Sequence, residues 1–169
     1  MSYAFTLTAT IPATPRAVYD TWLDSRGHTA MTGSTAKMSA KVGAKVSAWG
    51  GYISGRNLKL VPGKRIVQSW RTTKFTDEHE DSTITVTLAA AKGGTRLTLR
   101  HANVPDGQTS YEKGGWQNSY FAQMQAYFAK QASPAKKKAA ATKTKRKAAK
   151  RKPARKKVAV KTTKRRSVR

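Results

Sequence analysis

The chain has 169 residues, no cysteine, and 34 Lys+Arg against 8 Asp+Glu, for a formal net charge of +26. The missing thiol excludes disulfides, thiolate zinc sites and cysteine nucleophiles. A cationic surplus of this size points to polyanionic partners, and it is uneven: residues 1–132 hold 16 basic and all 8 acidic residues, while residues 133–169 hold 18 basic residues and no acidic one.

The change falls within "KQASPAKKKAAATKTKRK", which starts at Lys130. Residues 1–132 are enough for one domain with a single hydrophobic core. Residues 133–169 have no aromatic residue, and their only branched apolar residues are Val158, Val160 and Val168. Such a composition does not offset chain entropy, so this part is expected to be a disordered Lys/Arg-rich tail. No apolar run approaches the ~20 residues of a membrane span. The start, "MSYAFTLTATIPATPR", alternates where a signal peptide would be continuously apolar. The expected location is therefore cytoplasmic, with nucleoid association, or the nucleus in a eukaryote.

Tyr3, Phe5, Leu7, Ala9 and Ile11 alternate with small and polar residues, the period of a strand covered on one face. "ATPRAVYDTWL" predicts a short helix with Thr14 as cap, Pro15 in the first position, and Val18, Tyr19, Trp22 and Leu23 on one face. A second short helix is expected near Ser25 to Met31. From Ala36 to Asn103 strand patterns return, separated by "VGAK", "SGRN", "VPGK", "TDEHED" and "KGGT", each read as a turn. Short links imply an antiparallel meander. Its clearest pair has Ile84, Val86 and Leu88 facing inward on one strand, and Leu97, Leu99 and His101 on the next. In "QTSYEKGGWQNSYFAQMQAYFAKQ", Thr109 and Glu112 have capping-box spacing, and Trp116, Tyr120, Met124 and Tyr127 define the aromatic face of one long helix. The economical packing is an α+β fold, one curved antiparallel sheet gripping that C-terminal helix.

The runs "TGSTAKMSAKVGAKVSAWGGYISGRNLKLVPGKRIVQSWR", "GGTRLTLRHANVP" and "GWQNSYFAQMQAYF" resemble the heat shock protein 90 ATPase activator homologue family, within the START-like (SRPBCC) helix-grip superfamily. The most specific matches are Trp49, Gly51 and Gly55, the Trp70–Arg71 pair, Val104–Pro105, and Gly115–Trp116. Gln123 stands where the family often has a proline, so the last helix is expected without a proline kink. The eukaryotic activators carry a separate N-terminal chaperone-binding domain, whereas this chain starts at the helix-grip domain. The resemblance implies a cavity between sheet and helix that takes an apolar small molecule, and it names a chaperone or client protein as a further partner. Candidate lining residues are Trp22, Met31, Trp49, Trp70, His101, Trp116, Tyr120 and Met124.

No catalytic constellation, metal set or cofactor motif is read. His28, His79 and His101 are scattered, and His79 lies in the polar "TDEHED" loop. His101 is either a ligand contact or a core histidine satisfied by a backbone partner. Asp20 and Asp24, four apart, are expected to face water. Two readings of the domain follow: a non-catalytic binding module, or an enzyme of the cyclase or dehydratase kind with His101 or Tyr120 as acid or base. The thin polar inventory favours the first.

The basic segment is similar in composition to linker-histone and histone-like nucleoid tails. Lys136, Lys137, Lys138, Lys143, Lys145, Arg146, Lys147, Lys150, Arg151, Lys152, Arg155, Lys156 and Lys157 are candidate phosphate contacts to DNA or RNA, without base preference. The charge of residues 1–132, by contrast, reads as dispersed.

Overall fold

The computed structural model describes residues 1–132, and the candidate phosphate contacts from Lys136 to Lys157 lie outside the described residues. Six strands, β1 (Ser2–Ile11), β2 (Lys45–Ala48), β3 (Ile53–Val61), β4 (Arg65–Thr72), β5 (Ser82–Ala91) and β6 (Gly94–Pro105), form one antiparallel sheet. The spatial order is β1-β6-β5-β4-β3-β2, so the chain's first strand closes against its last.

Two helices connect β1 to β2. In α1 (Pro15–Leu23) the Thr14 hydroxyl accepts from the Ala17 N–H at 3.2 Å, Pro15 leads the helix, and Val18, Tyr19, Trp22 and Leu23 are buried. In α2 (Ser25–Thr32) the Asp24 carboxylate caps the Gly27 N–H at 2.6 Å. Asp20 instead pairs with Arg16 at 2.7 Å, so the two acids hold helix ends and turns and share no proton. The last helix, α3, runs over residues 111–132.

The expected alternation holds through β1, β5 and β6: Phe5 and Ile11, Ile84, Val86 and Leu88, and Leu97, Leu99 and His101 are all buried. These residues join Trp116, Tyr120, Phe121, Met124 and Phe128 of α3 in one core. Removing each large apolar side chain from water contributes about 1.5–3 kcal/mol.

Two local readings are corrected. Ser54–Asn57 is no turn but lies inside β3, because Gly55 serves close approach: a Cβ there would sit 1.9 Å from the Ser69 carbonyl oxygen of β4. The reversal is instead the 3₁₀ turn Trp49–Gly51. The capping box at Thr109 and Glu112 is not used either, since α3 starts at Tyr111 with Ser110 as a cap that makes no side-chain bond. The helix opens with two π turns, Tyr111–Gly115 and Gln117–Phe121, and Gly114 leaves helical geometry at φ 137°. The irregularity expected of a proline is thus absent at Gln123 and present, through glycine and π turns, a few residues earlier.

Candidate functional site: an aromatic cavity between sheet and last helix

The start of α3, the turn before β3 and the middle of the sheet enclose a cavity of about 200 Å³. Six aromatic rings wall it: Trp49 and Tyr52 from the turn, Trp70 from β4, and Tyr111, Trp116 and Tyr120 from α3, with Ile53, Ser110, Gly115 and Ser119 between them. Local geometry explains the convergence. The Gly115 N–H bonds the Ser110 carbonyl five residues back at 2.9 Å, and this wide turn sets Tyr111 and Trp116 on the same wall. Trp49 is held at φ 56°, in the left-handed region. A bulky residue adopts that conformation at a cost of about 1–2 kcal/mol, and such strain clusters at binding sites.

The rings interlock. Trp116 and Tyr120 have centroids 4.7 Å apart, Trp70 and Tyr111 4.9 Å, and Trp22 stacks on Tyr120 at 5.5 Å from the α1 side. The Tyr111 hydroxyl shares a 2.7 Å hydrogen bond with Thr72, and burial pushes its pKa up to about 12. Burial also drives the Tyr120 hydroxyl far above the usual phenol range. The nearby Trp49 draws it partly back, yet the Trp49 indole N–H is buried without a hydrogen bond of normal geometry.

His101 lies beneath the cavity, and its hydrogen bonds define its protonation. The Ser82 hydroxyl carries one proton and donates it to the Trp70 carbonyl at 2.6 Å. At its 2.8 Å contact with His101 Nε2, Ser82 must therefore accept, which puts the ring proton on Nε2. Nδ1 then accepts from the Trp116 indole N–H at 3.2 Å. The ring is neutral, both nitrogens are engaged, and burial lowers its pKa to about 3. An acid or base needs a free nitrogen or an exchangeable proton facing substrate, and His101 has neither. It is a satisfied core histidine, but its two ring partners are the side chains of Ser82 and Trp116 rather than the expected backbone group.

Behind Tyr120 a smaller void of about 20 Å³ is lined by Trp22, His28, Gln68, Trp70, Trp116 and Tyr120, among others. His28 donates from Nδ1 to the Trp22 carbonyl at 2.9 Å, while its Nε2 is buried with no partner among the described residues. Burial lowers its pKa and the carbonyl contact opposes that shift. Alongside it, Trp22 donates to Gln68 (3.2 Å), Gln68 to Asn57 (2.8 Å), and Asn57 to the carbonyls of Ser39 and Lys41.

Of the eight candidate lining residues, Trp49, Trp70, Trp116 and Tyr120 stand on the cavity wall, and Trp22 borders the inner void. Met31, His101 and Met124 are buried in the core and border neither space. Tyr52 and Tyr111 were not singled out from the sequence. Tyr52 follows a glycine pair whose bend sets its direction, and Tyr111 depends on a π turn that no periodicity announces. Among the described residues no three His, Asp or Glu side chains converge on a metal position, and no helix is long and apolar enough to cross a membrane.

A curved antiparallel sheet around a long last helix, with a cavity between them, is the helix-grip arrangement of START-like proteins. More narrowly, the chain belongs to the family described as activator of Hsp90 ATPase homolog 1-like protein, which matches residues 12–129. The human activator of 90 kDa heat shock protein ATPase homolog 1 is 31% identical over 116 residues, 69% of this chain and 34% of that protein. The chain therefore spans about a third of the length of that relative. The crystal structure of an HSP90 activator from Plasmodium falciparum superposes with a TM-score of 0.68 at 26% identity, covering 75% of this chain and 96% of the other. A protein from Chromobacterium violaceum superposes with a TM-score of 0.59 at 28% identity, covering 73% and 95%.

Proposed function

We propose that the domain is a non-catalytic binding module whose cavity takes a small, flat, apolar molecule. The observation that carries this reading is the wall of six aromatic rings around about 200 Å³ of space. That volume is below the ~300–1,000 Å³ of drug-sized sites, so it suits a guest of one or two rings. Trp49, held at positive φ, sets its ring on this wall. The test is a panel of mono- and bicyclic aromatic compounds, read by tryptophan fluorescence and melting temperature. Occupancy should raise the melting temperature by mass action and move the Trp116 indole resonance. A panel without either shift rejects the cavity as a binding site.

In the same reading, residues 133–169 hold the protein on nucleic acid by phosphate contacts alone. Neutralisation of half of their 18 cations gives a log-log salt slope near about −8, at ~0.9 per phosphate. Replacing Lys136 to Lys157 cations by glutamine in the full chain should flatten it.

Family membership favours a second reading, in which the domain contacts a heat shock protein 90 chaperone. Stimulation of that chaperone's ATPase by the full chain is the measurement. An unchanged turnover at saturating protein rejects it.

A further inference from the structure

The side of the sheet turned away from the helices carries cations and hydroxyls and no carboxylate. None of the eight acidic residues lies in a strand. Alternation places Lys45 of β2, Arg56 of β3, Arg65 of β4, and Arg96 and Arg100 of β6 on this outer side, and the bulge after Asn57 brings Lys59 of β3 to it as well. Threonines of β1 and β5, such as Thr8 and Thr85, lie between them. Asp81, just before β5, is taken by Arg71 at 3.3 Å. Among the described residues none of the six cations makes an ion pair.

This arrangement works against the fold. Lys45 stands directly opposite Arg56 across the β2–β3 ladder, and like charges in that relation destabilise a sheet. Strand order thus brings six of the sixteen cations of residues 1–132 onto one face that has no acid, which a reading along the chain misses. At the β3–β4 turn the face continues into a groove of about 550 Å³, with Lys64, Arg65 and Thr87 among its walls.

Chemistry selects the occupant. Protein interfaces are anchored by a buried apolar and aromatic centre, and this face has no aromatic side chain; its apolar groups are Val61, Val67, alanines and, at the β3 bulge, the exposed Leu58, which form no buried centre. Single-stranded nucleic acid is held by stacking bases on aromatics, which are missing here too. A duplex offers phosphates without requiring either. Six strands at ~4.8 Å spacing span about 24 Å, and four residues along β6 separate Arg96 from Arg100 by about 13 Å. A duplex segment of that length presents about 14 phosphates, at one charge per ~1.7 Å.

We propose that the outer face of the sheet is a docking surface for the phosphate backbone of duplex nucleic acid, blind to base sequence. It rests on the strands alone, independent of the cavity reading and of residues 133–169. Isotope-labelled full-length protein is titrated with a short DNA duplex, with salt series on wild type, on R65Q/R96Q/R100Q, and on a chain with Lys143, Lys145 and Lys147 changed to Gln. Amide shifts are expected at Thr8, Thr85 and Thr98 and not along α1, and the triple strand variant should lose about 2.7 from the slope, at ~0.9 per contact. Shifts confined to residues beyond 132, with an unchanged slope in R65Q/R96Q/R100Q, overturn the proposal. A poly-glutamate chain that shifts the same amides and binds more tightly than the duplex also overturns it, in favour of an acidic protein. The mapping on wild type stands even if the triple variant fails to fold. Loss of slope in the strand variant with none in the lysine variant keeps the face while rejecting the tail.

Discussion

The two faces of this sheet are built from alternate residues of the same strands and follow opposite rules. On β6, Leu97, Leu99 and His101 point inward and are fully buried, while Arg96 and Arg100 point outward and are exposed. Inward, nearly every polar group has a partner, down to the chain from Trp116 through His101 and Ser82 to the Trp70 carbonyl. Outward, Lys45, Arg56, Lys59, Arg65, Arg96 and Arg100 have no carboxylate partner among the described residues, and Arg56 reaches only the Gly43 carbonyl. Stability is concentrated where water is excluded, which leaves the outer residues free to serve electrostatic capture. The comparison makes a quantitative claim: equal numbers of substitutions on the two faces should differ several-fold in their cost to folding.

The largest effect is expected at Trp116. It is 3% exposed, packs against Trp70, His101 and Tyr120, and gives its N–H to His101. Trp116→Ala should cost about 3–5 kcal/mol in urea unfolding, and it leaves His101 Nδ1 buried without a donor. Trp116→Phe loses that bond and part of the ring's packing, and should cost about 1–3 kcal/mol. Near-equal losses in the two variants would mean that packing contributes little and the polar chain dominates.

His101 sharpens the same contrast through pH. Its folded pKa, lowered to about 3 by burial, lies below the unfolded value of 6.5, so the unfolded chain binds a proton that the folded one refuses. Stability is then intact above the unfolded pKa and falls as pH drops through 6.5 toward 3. Between about pH 7.5 and pH 5 the loss from this group is about 2 kcal/mol. His28 is shifted in the same direction and adds to the slope. His101→Asn, whose Oδ1 can replace Nδ1 as acceptor, should flatten the acid limb of the stability curve. An unaltered pH dependence in that variant would place the proton uptake elsewhere.

What could be read from the sequence separates along physical lines. Alternation in β1, β5 and β6 and the Thr14–Pro15 start of α1 are local signals with a local cause, and they match the structure. Gly55 was misread as a turn because its reason is a neighbour 14 residues away in sequence, the Ser69 carbonyl. The π turns of α3 are invisible to a 3.6-residue period, so Tyr111 was missed while Trp116 and Tyr120 were found. His101 could be placed inward, but its role depended on Ser82, which reaches it from the adjacent strand. The charge was read along the chain as dispersed for the same reason: that Arg56, Arg65 and Arg96 share one face follows only once the order β6-β5-β4-β3 is known.

The smallest effects should come from the outer face, and one of them should change sign. Arg96 faces Thr10 and Ala89, and Arg100 faces Thr6 and Thr85, so replacing either by glutamine removes no attraction within the domain. R96Q/R100Q should leave the urea midpoint within about 0.5 kcal/mol of wild type, as expected for surface positions without partners. Thr85→Glu goes further, setting a carboxylate directly opposite Arg100. Such a cross-strand pair should stabilise by about 0.2–1 kcal/mol while repelling phosphate, so folding stability and duplex affinity should move in opposite directions. The measurement is a paired urea titration and duplex-binding series on wild type and Thr85→Glu. A variant that loses stability would show that the outer residues are coupled to the core, and one that keeps full duplex affinity would remove Arg100 from the binding face.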